Sequence, residues 1–307
     1  MPDVAIWNQC NNHCLMCTNP FIFQLEDNRS FYLLENLKKM WSDRKFGPNE
    51  SLCFTGGEPT IHPDFFKVIR WFRSQYPINK NNIVVASNGR MFYYQSFTKK
   101  ILKINGLLLE IAVHGHDEKT HDFITRTKGS FKQTVKGIHN ILRFKNDSQA
   151  IEIRIIITKY TYRNLDKILF FIKHEFDVIK IKSIVLIFIE MEGQAKDNLK
   201  IVGITYKEVM KFLPQVVNKW ALSFNDLRLY HFPLCVLPPE LWPYAWRTLR
   251  EEEVMFLPRC NKCFYKKYCL GIHRDYLSLI GNKEFKPPKK IKIDISGLFG
   301  KPINSVF

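Results

Sequence analysis

Apolar, β-branched runs alternate with amphipathic stretches from the first residues to about residue 230. The runs Val4–Trp7, Ser51–Phe54, Ile83–Ala86, Leu107–Val113, Ile151–Thr158 and Ser183–Glu190 are short, and several are almost continuously apolar. That is the pattern of parallel strands covered on both faces. Helical spacing of apolar residues fills the intervals at Phe31–Asp43, Asp64–Gln75, Gln95–Leu102, Phe131–Phe144 and Leu165–Glu175. Ser30 and Ser130 supply start signals for the first and fourth of these helices. Strand followed by helix, six times over, predicts an α/β fold with a parallel sheet. Right-handed crossovers would curl it around one central cleft. Thr205–Leu222 reads as one more helix and Leu227–His231 as a short strand, so the pattern gives six good units rather than eight.

The character changes after Pro233. Prolines crowd at 233, 238, 239, 243 and 258, periodicity fades, and four of the eight cysteines appear. A boundary near residue 225 is expected, dividing a core domain of 1–225 from a cysteine-rich extension with a basic tail over 226–307. At 307 residues such a chain can bury a sizeable core. Its formal charge of +17 would favour encounter with nucleic acid, an acidic peptide or an anionic cofactor. The basic residues are scattered, however, and the densest run, Lys286–Lys292, reads as a solvated tail, so nucleic acid is not favoured. No apolar run reaches the roughly 20 residues that span a bilayer. No signal peptide is visible, and a cytoplasmic location is expected. There, cysteines serve as metal ligands more readily than as disulfides.

Three of them stand in Cys10-Asn-Asn-His-Cys14-Leu-Met-Cys17, directly after the first strand. This spacing lets three thiolates converge from one loop without a local fourth ligand. Three protein ligands suit a catalytic metal centre, or a [4Fe–4S] cluster with one iron left open. A structural zinc with a distant fourth ligand is the alternative. The second strand runs into Thr55-Gly56-Gly57-Glu58-Pro59-Thr60, where paired glycines permit close backbone approach and Glu58 can accept from a charged amine. Both loops fall at the C-terminal end of the sheet, where ligands bind in α/β folds.

Cys10-x3-Cys14-x2-Cys17 followed by Gly56-Gly57-Glu58-Pro59 resembles the radical S-adenosylmethionine (SAM) superfamily. The resemblance implies a partial (β/α)6 barrel and a [4Fe–4S] cluster whose open iron is chelated by SAM. It also implies reductive cleavage of SAM to a 5′-deoxyadenosyl radical that abstracts hydrogen from substrate. An external electron donor such as flavodoxin or ferredoxin would supply the reduction. Residue by residue, Cys10, Cys14 and Cys17 match the cluster ligands, and Met16 matches the adenine contact. Gly56, Gly57 and Glu58 match the segment that binds the SAM amino group. Ser87 and Asn88, in a Ser-Asn-Gly turn after the third strand, match a turn facing the ribose and methionine parts. Glu110 and Arg154 sit where polar SAM contacts occur in the family, and Arg154 could pair the SAM carboxylate. Both could instead point to solvent.

Cys260-x2-Cys263-x5-Cys269, with Cys235 upstream, offers four thiolates, a closed set fitting a structural zinc or a fully ligated Fe–S cluster. The resemblance favours an auxiliary [4Fe–4S] cluster in a small extension of the twitch/SPASM type. Cys53 is left over and reads as inert packing. Thr55–Thr60, Ser87–Arg90, His114–Asp122, Gly129–Phe131, Glu152–Arg154 and Met191–Ala195 together resemble the maturases of the His-Xaa-Ser peptide-modifying system. That implies a peptide or protein substrate. With almost nothing ahead of the first strand, a separate recognition protein, or none, is expected. Modification of RNA or a small molecule is the rival enzyme reading, and a non-catalytic Fe–S or zinc protein the rival of another class. In the His114–Asp122 stretch, Asp117 or Asp122 is expected to fix a helix start. Pro238–Trp246 is expected to fill a small core.

Overall fold

The computed structural model describes residues 3–44, 51–75 and 83–290. Its centre is a parallel sheet in strand order β1 to β8: Asp3–Trp7, Leu52–Gly56, Ile83–Ser87, Leu107–Ala112, Gln149–Ile157, Ser183–Phe188, Leu227–Tyr230 and Ala245–Trp246. Among the described residues β8 does not pair back to β1, so the sheet stays open. The helices between strands are α1 (Leu34–Trp41), α2 (Phe65–Gln75), α3 (Gln95–Ile101), α4 (Glu118–Thr125), α5 (Ser130–Phe144), α6 (Leu165–Glu175), α7 (Gly193–Asp197), α8 (Leu199–Val202), α9 (Tyr206–Val209) and α10 (Leu213–Trp220). A short antiparallel pair, β9 (Val254–Met255) and β10 (Ile272–His273), leads into α11 (Arg274–Leu279). No helix of the described residues is long and apolar enough to cross a membrane.

Strand alternation sorts the side chains. In β5, Ile151, Ile153, Ile155 and Ile157 are fully buried against the helices, whereas Glu152 and Arg154 face the lumen. α6 answers with Leu165, Ile168, Leu169 and Ile172, one helical stripe with no exposed surface. β6 is buried at all six positions.

The six expected strands are present, and the sheet continues past residue 225. β7 pairs with β6 and β8 with β7, both parallel. Thr205–Leu222 is two helices rather than one. Pro214 has no N–H to donate to a preceding turn, so the chain restarts there with proline in its first turn. Ser30 does not cap α1, which begins at Leu34 without a side-chain cap; the Ser30 carbonyl accepts from the Leu33 N–H and the Asn36 side chain. Lys292 and the end of the basic run lie outside the described residues.

Both aspartates of the His114–Asp122 stretch fix helix starts. Asp117 caps α4 by accepting from the Thr120 N–H at 2.7 Å. Asp122 reaches across to α5, accepting from the Gly129 N–H, the Ser130 hydroxyl and the Phe131 N–H. It does for α5 what Gly129, the residue at the cap position, has no side chain to do. Asp122→Ala should therefore lower stability by about 1–2 kcal/mol, read as a reduced urea midpoint with an unchanged slope.

Candidate active site

The loop after β1 is held by its neighbours at the C-terminal end of the sheet. β2 runs alongside it: Gly57 N–H donates to the Trp7 carbonyl at 2.7 Å and Glu58 N–H to the Gln9 carbonyl at 2.8 Å. Only glycine fits, because a Cβ on Gly56 would stand 2.1 Å from the Trp7 oxygen, and one on Gly57 would stand 2.3 Å from the Gln9 oxygen. Asn19, two residues after the last cysteine of the loop, donates to the Gly56 carbonyl at 2.7 Å.

Glu58 is buried, and its carboxylate accepts from four groups of its own chain. These are the Thr60 N–H and hydroxyl, the Ser87 hydroxyl at 2.8 Å and the Asn88 N–H at 2.7 Å. Burial pushes its pKa up while these bonds pull it back. Glu58 therefore clamps the β2 loop to the β3 turn. From that turn the Asn88 amide donates to the Asn11 side chain and lies 3.9 Å from the Cys10 sulfur. Arg90 adds a brace that the sequence pattern did not single out. Its guanidinium donates to the Asn11 carbonyl, to the Asn12 side chain at 2.9 Å and to Gln133 of α5 at 2.6 Å. On the far side, Ala195 N–H of α7 donates to the Cys17 carbonyl at 3.1 Å. Met16, expected at an adenine, is buried in the apolar core with Leu15.

The thiols converge. Burial raises the Cys14 thiol, with further repulsion from Cys10 and Cys17, and Cys10 is pushed up to about 12 by burial and by Glu58. In the C-terminal extension, burial pushes Cys235 up to about 12, with added repulsion from Cys269, Cys260 and Cys263. Among the described residues, no three of these sulfurs lie within 4.8 Å of one another.

The lumen is charged. Arg154 donates to Glu110 and, at 3.0 Å, to Glu152, and both carboxylates are almost wholly buried. Burial raises Glu110 against the pull of Arg154, whose own charge the two carboxylates hold in place. Neither Glu110 nor Arg154 points to bulk solvent; they pair with each other inside the cavity. Cys53 lines the same cavity, 4.0 Å from Glu110, so it is not core filling alone. Pro238–Trp246 divides in two. Trp242 is buried and donates to the Leu234 and Leu237 carbonyls, whereas Trp246 faces the lumen.

Three thiols on the first strand's loop, with a glycine–carboxylate turn clamped beside them over a parallel sheet, define a metal-cluster site of the α/β-barrel class. The chain belongs to the radical SAM superfamily, whose family model matches residues 4–172. Membership implies a [4Fe–4S] cluster and SAM as cofactors, and the donor set at Cys10, Cys14 and Cys17 fits them. Among curated proteins the chain is similar to the GTP 3′,8-cyclase of Haemophilus ducreyi, 27% identical over 197 residues, covering 64% of this chain and 54% of that protein. It is also similar to the probable GTP 3′,8-cyclase of Methanocella arvoryzae, 25% identical over 44% of this chain and 41% of that protein. It thus spans about half the length of the curated relatives it matches. In fold it is similar to Streptococcus suis SuiB bound to precursor peptide SuiA, at TM-score 0.54 and 13% identity, covering 73% of this chain and 47% of that one. The AdoMet-bound anSMEcpe gives TM-score 0.53 and 18% identity, covering 74% and 60%.

Removing one partner of a buried ion pair strands the other. Arg154→Met should cost the apoprotein about 3–5 kcal/mol by stranding buried Glu110, while Glu152 keeps Arg228 at 3.7 Å and the Ser183 hydroxyl. Urea denaturation without SAM measures this; an arginine serving SAM alone would leave apoprotein stability unchanged.

Proposed function

We propose that this enzyme modifies a peptide or protein side chain and carries one auxiliary [4Fe–4S] cluster in a twitch/SPASM-like extension over residues 226–307, as in the His-Xaa-Ser maturases. The carrying observation is the second thiol set, half-buried Cys235, Cys260, Cys263 and Cys269, in which Cys260 and Cys263 lie close enough to repel the thiolates of Cys235 and Cys269. Cys10, Cys14 and Cys17 would hold the first cluster, which when bound would supply the reducing electron for SAM cleavage and so for hydrogen abstraction from the substrate. Gly56 and Gly57 let the β2 loop close on the backbone of the cysteine loop at Trp7 and Gln9, Glu58 fixes their turn through Ser87, and Asn88 holds its side-chain amide 3.9 Å from the Cys10 sulfur. An external donor such as flavodoxin or ferredoxin and, where needed, a separate peptide-recognition protein complete the system.

The fold likeness to SuiB, crystallised with its precursor peptide, supports the peptide class by architecture alone. One observation favours a second reading, a small-molecule substrate: the curated relatives are named GTP 3′,8-cyclases. Release of a cyclised product from GTP would select it.

Anaerobic reconstitution tests the assignment. The parent should bind about eight irons and form 5′-deoxyadenosine under dithionite, as expected of two four-iron clusters. Cys14→Ala should abolish SAM cleavage and keep about four irons. Loss of both clusters together would show that the cysteines are divided wrongly, and zinc without SAM cleavage would defeat the enzyme reading.

A further inference from the structure

The lumen cavity, about 790 Å³, is lined by six carboxylates against four lysine and arginine side chains, although the whole chain carries +17. Most of these charges have partners. Arg154 holds Glu110 and Glu152, Arg228 holds Asp226 at 2.7 Å, and Arg250 lies 3.7 Å from Glu253.

Glu190 differs. It stands two residues beyond β6, with its side chain 24% exposed into the cavity, and its ion partner among the described residues is His231 at 3.2 Å. The His231 Nδ1 is also 3.2 Å from the Phe188 carbonyl, so one proton on Nδ1 serves both acceptors and the ring needs no charge. Burial favours the same neutral form. Glu190 is thus a carboxyl at the upper end of the lumen with no lysine or arginine in ion-pair contact among the described residues. Burial pushes its pKa up to about 7 against the pull of His273 and Arg154, so a cation arriving there would favour its ionised form.

Two donors nearby lack acceptors. The Trp246 Nε1 and the Thr248 hydroxyl are buried, without hydrogen-bond partners, and line the same cavity. Trp246 is held in place by the Arg228 guanidinium, 3.9 Å above its ring. An indole N–H can only donate, so a ligand there must bring an acceptor. The upper end of the lumen therefore offers a carboxyl whose ion partner is a histidine rather than a lysine or arginine, together with two unpaired donors, supplied by the ends of β6 and β8, across the sheet from the thiol loop on β1.

We propose that this end of the lumen receives a peptide bearing a cationic side chain, its lysine ammonium or arginine guanidinium on Glu190 and a backbone carbonyl on Trp246 and Thr248. The inference rests on the peptide reading of function and narrows it to basic residues. A triphosphate would meet the excess of carboxylates unfavourably.

Calorimetry on the reconstituted full chain with SAM tests this, using the acetylated, amidated tripeptides Ala-Lys-Ala, Ala-norleucine-Ala and Ala-Glu-Ala. The lysine peptide should bind roughly tenfold more tightly than the norleucine peptide, the worth of one charge-assisted hydrogen bond. Glu190→Gln should erase that preference, and Trp246→Phe should weaken the lysine and norleucine peptides alike. Where Glu190→Gln fails to fold, as read by lost iron, the salt series carries the test: the parent's lysine preference must shrink as salt rises. Equal affinity for all three peptides, or a preference that survives Glu190→Gln or high salt, would overturn the assignment and leave the peptide reading standing. Binding of GTP with no binding of any peptide would overturn both.

Discussion

Three sulfurs must share one buried loop before a cluster can assemble, and the C-terminal face of the sheet is organised by that demand. Burial raises the cost of ionising each thiol, and convergence sets like charges together once they ionise. The chain holds the loop against these costs with directed hydrogen bonds. β2 lies against the β1 loop because Gly56 and Gly57 present no Cβ, Glu58 ties β2 to the β3 turn, and Arg90 returns from that turn to Asn11 and Asn12. Each loop fixes the next, so the thiol positions are determined by three strands rather than by the local sequence of one.

The lumen follows the opposite logic. Helix-facing positions of the strands are isoleucine, leucine and valine at almost zero exposure, while lumen-facing positions include Glu110, Glu152, Arg154 and Arg228. A buried ionic network such as Arg154 with two carboxylates is often no more stable than apolar residues of the same volume. Apolar filling would also have left no cavity. The charges fit a lumen that handles polar ligands, and Glu190 at its upper end has a histidine rather than a lysine or arginine as its ion partner.

Much of this was legible in the sequence, for reasons that differ by element. The strands of the sheet announce themselves as apolar runs, because burial on both faces leaves little room for polar residues. The cysteine loop and Gly56-Gly57-Glu58 were readable because their chemistry depends on spacing along the chain. β8, two residues long, carries no period to detect, and it forms because β7 offers an unpaired edge. The restart of the helix at Pro214 was visible in principle and was outweighed by the apolar spacing around it. Arg90, Glu190 and His231 were hidden for a different reason. Their roles depend on partners 79, 78, 43 and 41 positions away, and no local pattern marks such pairings.

The chain after β8 is joined to the sheet by aromatic packing. Phe188 at the end of β6 stacks on Tyr206 at 3.8 Å between ring centres, and Tyr206 meets Tyr276 of α11 and Phe285. These rings belong to the same apolar core that holds the barrel strands. Glu192, just before α7, lies 3.2 Å from His273, four residues after Cys269, while α7 itself donates to the Cys17 carbonyl. A continuous series of contacts thus runs from the first thiol set to the second. The two sulfur sets are joined through one apolar core rather than by a free tether.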